Sequence, residues 1–320
     1  MKKKILVAFQ TIQEGWDELE EHFDLTFPPE GRDFTPEEIR ERVGEYDALL
    51  SVFDIPIDKE IIEAGKQLQL ISNYAVGFNN IDIEAARAKG VAVTNTPHSV
   101  VEPTADLAMA HLLNCARNIS SWTKRMRQER EGLHITRISD LGIGLQGKVL
   151  GILGWGNIGS ALARRAQACG MTILYNKRNR LDPDEEKRLH ITYADRETLL
   201  SESDVVSLHT PLTEETHHII NAESLRLMRP GTILINTGRG PLVDEAALID
   251  ALKSGNIAGA GLDVFEHNDI PSPELYEMDN VSLTPHIGTQ TYEARLRMLQ
   301  ELTNNVIGYF EGGREVSRVV

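Results

Sequence analysis

The sequence predicts an α/β protein made of two doubly wound parallel-sheet domains. Three observations carry that expectation. At 320 residues the chain exceeds what one ordinary core holds and suits two domains. Short apolar, β-branched runs alternate with amphipathic stretches along the whole length, the pattern of parallel strands joined by helical crossovers. A last amphipathic stretch, Tyr292–Phe310, is long enough to cross back to the first third. The expected organisation is a split first domain, residues 1–97 with 290–320, and an inserted second domain, residues 98–289.

In the first third the strand candidates are Ile5–Phe9, Leu25–Phe27, Ala48–Ser51, Leu70–Asn73 and Ala92–Asn95. Helices are expected at Glu14–His22, Pro36–Arg42, Asp58–Ala64 and Ile83–Lys89, with Pro36 and Asp58 as first-turn or capping residues. Lys2-Lys3-Lys4 before Ile5–Phe9 superficially suggests a secretory signal, but five apolar residues are too few. From Thr104 to Glu131 apolar residues recur at helical spacing and predict one long helix. A glycine-rich loop (Gly142, Gly144, Gly147) then leads into a second series. Its strands are Val149–Leu153, Thr172–Tyr175, Val205–His209, Thr232–Asn236, Ala258–Asp263 and Val281–Thr284; its helices are Ile158–Ala168, Glu197–Ser201, Ala222–Leu227 and Glu245–Lys253.

A formal net charge of -15 argues against nucleic acid or an anionic membrane as a general partner, because phosphates are repelled over most of the surface. A small anionic substrate remains compatible, provided that a few Arg or Lys residues and backbone N–H groups outweigh that field. Cys115 and Cys169 lack metal-type spacing and fit a reducing, cytoplasmic compartment. His209, His217 and His218 suggest no third ligand, so no metal is expected. No segment approaches the length of a membrane span.

The sharpest local signal is Gly154-Trp155-Gly156-Asn157-Ile158-Gly159, between the strand Val149–Leu153 and the helix from Ile158. That context is the one a dinucleotide-binding turn requires. The first glycine makes the tight turn, the second lets the backbone approach a pyrophosphate, and the third packs helix on strand. The helix N-terminus then faces the negative charge. About 20 residues beyond the first glycine, a carboxylate at the next strand end would hold the ribose hydroxyls of NAD. Here the sequence reads Tyr175-Asn176-Lys177-Arg178-Asn179-Arg180, with no carboxylate and three cations. NADP is therefore the preferred cofactor and NAD the second choice; the plain alternative is a basic loop balancing Asp182, Asp184, Glu185 and Glu186.

Two further segments carry chemistry at strand ends. Arg239 lies between Gly238 and Gly240, leaving its guanidinium unobstructed for a carboxylate. His286, in Thr284-Pro285-His286-Ile287-Gly288, is suited to give a proton to a carbonyl oxygen as hydride reaches the carbon.

With these motifs assembled, the chain resembles the D-isomer-specific 2-hydroxyacid dehydrogenases over essentially its whole length. Thr94-Asn95-Thr96-Pro97, Thr104-Ala105-Asp106, Gly154–Gly159, Asn236–Glu245, Gly261–Glu266 and Asp279–Gly288 match that family in order and spacing. The stretch Ile173-Leu174-Tyr175-Asn176 is most similar to the glyoxylate/hydroxypyruvate/2-ketogluconate reductase branch. The resemblance implies a flavodoxin-like substrate domain, an inserted Rossmann cofactor domain, and hydride transfer between NADPH or NADH and a small 2-keto acid. It implies Arg239 on the substrate carboxylate and keto oxygen, His286 as acid/base, and N–H groups of Ala75, Val76 and Gly77 on the carboxylate. Thr104, Thr210, Pro211, Thr237, Gly238, Asp263 and Gly288 would line the cofactor beside the glycine turn and Asn176, Lys177 and Arg178. Domain closure excluding water, and a homodimer through the helix Thr104–Glu131, are implied too.

One position departs from the family. A Glu is usual two residues past Glu266, paired with the catalytic His; here Asn268 stands there, followed by Asp269. An amide orients the ring but cannot stabilise imidazolium with a full charge. The expected result is weaker proton donation at neutral pH and a more acidic optimum for keto-acid reduction, unless Glu266 or Asp269 swings in. Competing readings are a D-3-phosphoglycerate dehydrogenase-like enzyme, which wants extra cations for a phosphate, and a low-turnover nucleotide-sensing protein of the same fold.

Overall fold

The computed structural model describes residues 2–129, 141–267 and 270–320. The chain divides into two units, residues 1–101 with 289–320, and residues 102–288.

The first unit opens with β1 (Lys4–Val7), α1 (Asp17–His22), β2 (Asp24–Thr26), α2 (Pro36–Arg42), β3 (Ala48–Ser51), α3 (Lys59–Ala64), β4 (Leu70–Asn73), α4 (Ile83–Lys89) and β5 (Ala92–Thr94). Its sheet is parallel throughout, in the order β2-β1-β3-β4-β5. Every residue of β3, β4 and β5 is buried, which explains why these strands read as continuous apolar runs rather than alternating ones. Helix starts are set by local chemistry. Thr35 and Glu38 form a reciprocal capping box ahead of Pro36, and the Asp58 carboxylate accepts the Ile61 N–H at 2.9 Å.

The second unit begins in α5 (Val101–Arg117) and α6 (Ile119–Glu129). The single helix expected over Thr104–Glu131 is thus two helices. Asn118 adopts φ 52, a left-handed conformation that ends α5, and its carbonyl accepts the Trp122 N–H to begin α6. The Asn114 side chain caps the new helix by accepting the Ser120 N–H at 2.8 Å.

There follow β6 (Val149–Leu153), α7 (Asn157–Ala168), β7 (Thr172–Asn176), α8 (Pro183–Leu189), β8 (Ile191–Tyr193), α9 (Arg196–Glu202), β9 (Val205–Leu208), α10 (Ala222–Leu227), β10 (Thr232–Asn236), α11 (Glu245–Lys253), β11 (Ile257–Leu262), α12 (Pro273–Tyr276) and β12 (Val281–Leu283). They form a parallel sheet in the order β12-β11-β10-β9-β6-β7-β8. The sequence reading missed β8, a three-residue edge strand with one buried side chain, and the short helices α8 and α12.

Last comes α13 (Tyr292–Glu311), which returns to the first unit and buries Met298, Leu299, Leu302, Val306 and Ile307 in its core. The tail beyond it lies along β5, where Val319 donates to the Val93 carbonyl at 2.8 Å, and so covers an edge that would otherwise be open.

Candidate functional site

Strand β6 lies between β7 and β9, so its crossover leaves to one side while β9 flanks the other. Ligands of open parallel sheets bind at the carboxyl ends of strands beside such a reversal. The glycine turn sits there. Gly154 has φ +103, and a Cβ on it would fall 2.5 Å from the His209 carbonyl carbon and the Thr210 nitrogen. Only glycine allows both the turn and this backbone contact. The N–H groups of Gly154 and Trp155 donate to the Asn176 carbonyl at 3.1 Å each, which ties the turn to the end of β7.

Gly156, by contrast, faces open space and caps α7 without a side chain. The first-turn N–H groups of Asn157, Ile158 and Gly159 have no acceptor within the helix, so the turn presents donors where a phosphate fits. The buried Thr237 hydroxyl, just past β10, has no hydrogen-bond partner. An exposed, side-chain-free cradle and an orphaned hydroxyl are what a dinucleotide requires, and the residues present fit one. Thr104 lies against Gly288, its Oγ1 3.3 Å from where a Cβ on that glycine would sit. Thr210 is half-buried and Pro211 exposed at the end of β9.

The basic loop after β7 is not uniform. Arg180 is engaged by Glu186 through two 2.7 Å hydrogen bonds, and the Tyr175 hydroxyl donates to the same carboxylate at 2.6 Å. Arg180 and the Tyr175 hydroxyl hold the Glu186 carboxyl down at about 2. The sequence had offered three cations to a ligand; this pairing removes Arg180. Among the described residues Arg178 pairs with Glu215 at 3.1 Å, with both side chains about four-fifths exposed, and such pairs contribute little. Lys177 is exposed, and the Asn176 side-chain amide is occupied by the Ala194 carbonyl at 2.8 Å.

Arg239 and His286 come from turns on either side of β11. After β10 the Asn236 side chain clamps its turn, donating to the Arg239 carbonyl at 2.9 Å and accepting the Gly238 N–H at 3.1 Å. A Cβ on Gly240 would sit 1.7 Å from the Phe265 carbonyl oxygen, so glycine is obligatory where the Arg239 turn lies on the segment after β11. After β12, His286 adopts φ 54, a left-handed conformation that is costly for a side chain with a Cβ. It is held there by Asp263, which is only 1% exposed. The His286 N–H donates to the Asp263 carbonyl at 2.9 Å, while its carboxylate accepts from the Thr284 hydroxyl (2.6 Å), Ile287 N–H (2.7 Å) and Gly288 N–H (2.9 Å). Burial pushes the Asp263 carboxyl up, and these donors together with the charge of His286 oppose that shift.

Asn268 and Asp269 lie outside the described residues. Glu266 does not take the place of the family's Glu. Its oxygens are occupied by His218 Nε2 at 2.7 Å and by the Glu245 N–H at 2.9 Å.

In the first unit, the carbonyls of Ala75, Val76 and Gly77 accept from Thr96 N–H (2.9 Å), Asn95 Nδ2 (2.7 Å) and Asn73 Nδ2 (2.7 Å). With trans peptides throughout the described residues, the N–H groups of Val76, Gly77 and Phe78 point away from these donors to the carbonyls.

Sequence reasoning missed His111 on α5. Its ring contacts Ser282 Oγ at 2.8 Å and Thr284 Oγ1 at 2.9 Å. A histidine among leucines was the available signal. Burial pushes both His111 and His209 down to about 4 from the usual 6.5. Between those values the unfolded chain binds protons that the folded chain does not. The stability these neutral rings confer is therefore complete above pH 6.5 and lost as pH falls toward 4. Calorimetry should show a melting temperature flat above about pH 7 that declines through this window; a midpoint constant across it contradicts the assignment.

Among the described residues no cluster of His, Cys, Asp or Glu could hold a metal ion, and no helix is long and apolar enough to cross a membrane.

An α/β fold with a dinucleotide turn at its reversal point, and a guanidinium and an imidazole at nearby strand ends, defines a nucleotide-dependent oxidoreductase. Comparison with known proteins specifies the family. Residues 109–288 match the model of the D-isomer specific 2-hydroxyacid dehydrogenase, NAD binding domain. Glyoxylate reductase of Thermococcus litoralis is 44% identical, over 98% of this chain and 95% of that protein. Glyoxylate reductase of Pyrococcus furiosus is also 44% identical, over 98% of this chain and 94% of its own. The crystal structure of an NADPH-dependent glyoxylate/hydroxypyruvate reductase from Sinorhizobium meliloti, in complex with NADP and malonate, superposes with a TM-score of 0.85. It is 30% identical and covers 100% of this chain and 97% of that one. The chain belongs to the D-isomer-specific 2-hydroxyacid dehydrogenase family.

Proposed function

We propose that the protein is an NADPH-preferring reductase of small 2-keto acids, of the glyoxylate or hydroxypyruvate kind, yielding the D-2-hydroxy acid. The observation that carries this reading is the pair of turns bearing Arg239 and His286, both docked on the segment after β11. The nicotinamide nucleotide supplies the hydride when bound. Arg239 grips the substrate carboxylate and polarises the keto oxygen, and His286 gives that oxygen a proton. The N–H groups of Ala75, Val76 and Gly77, directed to the substrate carboxylate, make the first unit the substrate domain. Thr104, Gly154, Gly156, Asn157, Ile158, Gly159, Thr210, Pro211, Thr237, Gly238, Asp263 and Gly288 make the second unit the cofactor domain.

A cytoplasmic homodimer is part of the proposal. Two free thiols support the reducing compartment, and Ile119 and Met126 on α6, 51% and 64% exposed, support a partner face. The test of the whole reading is nucleotide absorbance followed with glyoxylate, hydroxypyruvate, pyruvate and 2-ketogluconate, each with NADPH and with NADH. Turnover of the first two with NADPH is expected; no turnover with any pair contradicts the reading.

The preference for NADP rests on Lys177 and Arg178, exposed at the end of β7 where no carboxylate stands. Arg178→Glu should raise the KM for NADPH by about 10- to 100-fold, the value of a lost charge-assisted hydrogen bond. The KM for NADH should stay within about threefold, since NADH carries no 2′-phosphate. Equal effects on both nucleotides would refute the assignment.

A further inference from the structure

We infer that His111 is a positioning residue for the acid/base loop, at the centre of a one-directional hydrogen-bond chain running from α6 to Asp263. The inference rests on the reading of His286 as proton donor and adds a control that acts on it from α5.

The direction of the chain follows from its two ends, a backbone N–H that can only donate and the Asp263 carboxylate, which accepts from Thr284. The Ser120 backbone N–H can only donate, and it does so to Asn114 Oδ1 at 2.8 Å. That sets the amide, whose Nδ2 donates to Ser282 Oγ at 2.5 Å. Ser282 then has its own proton for His111 Nδ1, 2.8 Å away. An imidazole that accepts at Nδ1 and is neutral carries its proton on Nε2. It donates that proton to Thr284 Oγ1 at 2.9 Å, and so leaves the Thr284 hydroxyl proton for Asp263 Oδ1 at 2.6 Å. Asp263 is the residue onto which the Ile287 and Gly288 N–H groups and the His286 backbone converge. Every link upstream therefore secures one donor on the carboxylate that holds His286 in its left-handed conformation.

The fold makes room for this. A Cβ on Gly261 of β11 would sit 2.5 Å from the His111 Cβ, so the ring's position depends on that glycine. Burial keeps His111 uncharged through neutral pH, which prevents protonation at Nδ1 from reversing the chain. The titratable groups facing it are Cys115 on its own helix, whose thiol burial pushes up to about 12, and, through Thr284, Asp263 after β11. Neither Cys115 nor His111 is charged at neutral pH, so Asp263 is the group left to respond.

Without the His111 donor the Thr284 hydroxyl is no longer directed at Asp263, and that carboxyl takes up a proton at higher pH. His111→Leu is expected to lower kcat about tenfold through a displaced acid. It should also raise the acid limb of the kcat/KM profile by about half a pH unit. The KM for NADPH should change less than about twofold, and His111→Gln, which puts an amide donor near the lost Nε2, should recover most of the rate. A merely structural role would move neither the acid limb nor the Gln–Leu difference.

Nitrogen-15 correlation spectra of the histidine rings provide a readout without nucleotide. His111 should be the Nε2–H tautomer, and an Nδ1–H tautomer overturns the inference. Assaying His286→Asn in parallel separates the two levels. If it retains turnover, the proton-donor reading falls and this inference with it. If it loses turnover while His111→Leu keeps wild-type kcat and profile, only the His111 role is refuted.

Discussion

His286→Asn is expected to lower kcat by about a thousandfold while NADPH affinity stays within about threefold, because a positioned general acid contributes 10²–10⁴. Asparagine is the informative replacement. His286 has φ 54, and Asn tolerates the left-handed region better than other side chains, so the loop on Asp263 should survive the substitution. Nucleotide binding is readable from Trp155, which lies within the glycine turn with its ring 5.1 Å from that of Tyr175. Quenching on NADPH addition should be unchanged in the variant. A kcat within tenfold of wild type would remove His286 from the chemistry.

Arg239→Lys is expected to lower kcat/KM for the keto acid by about two to three orders of magnitude, again without weakening NADPH binding. Lysine keeps the charge but loses the planar fork that grips a carboxylate and reaches a keto oxygen together. The Arg239 turn is built mainly by Asn236 and Gly240, through the Asn236 clamp and the close approach to Phe265, while the guanidinium adds one bond, from Nη1 to the Gly238 carbonyl at 2.7 Å. Steady-state kinetics with glyoxylate, combined with a melting curve, checks both parts. A loss carried only by instability would appear in the melting curve, and an unchanged kcat/KM would refute the assigned role.

Much of the fold was legible because parallel strands buried on both faces read as uninterrupted apolar runs. β3 and β4 were found at their observed bounds for that reason. β8 was missed because an edge strand of three residues with partial burial has no such signature. The break between α5 and α6 was missed because apolar spacing continues through it; the break is decided by the φ of Asn118 and by the Asn114 cap, which periodicity does not encode. At the site, glycine turns and strand-end polar residues were visible because their spacing is local. The commitment of Arg180 to Glu186, of Glu266 to His218, and the path from His111 to Asp263 were not, because each joins residues whose contact exists only once the sheet is formed.

The central claim is that the imidazole of His286 and the guanidinium of Arg239 meet on one substrate oxygen. A crystal structure with NADP and oxamate, an unreactive keto-acid analogue, tests it most directly. The account predicts His286 Nε2 and an Arg239 nitrogen both within about 3 Å of the same analogue oxygen, beside the nicotinamide. Oxamate bound elsewhere, or the two side chains directed to separate spaces, would contradict it.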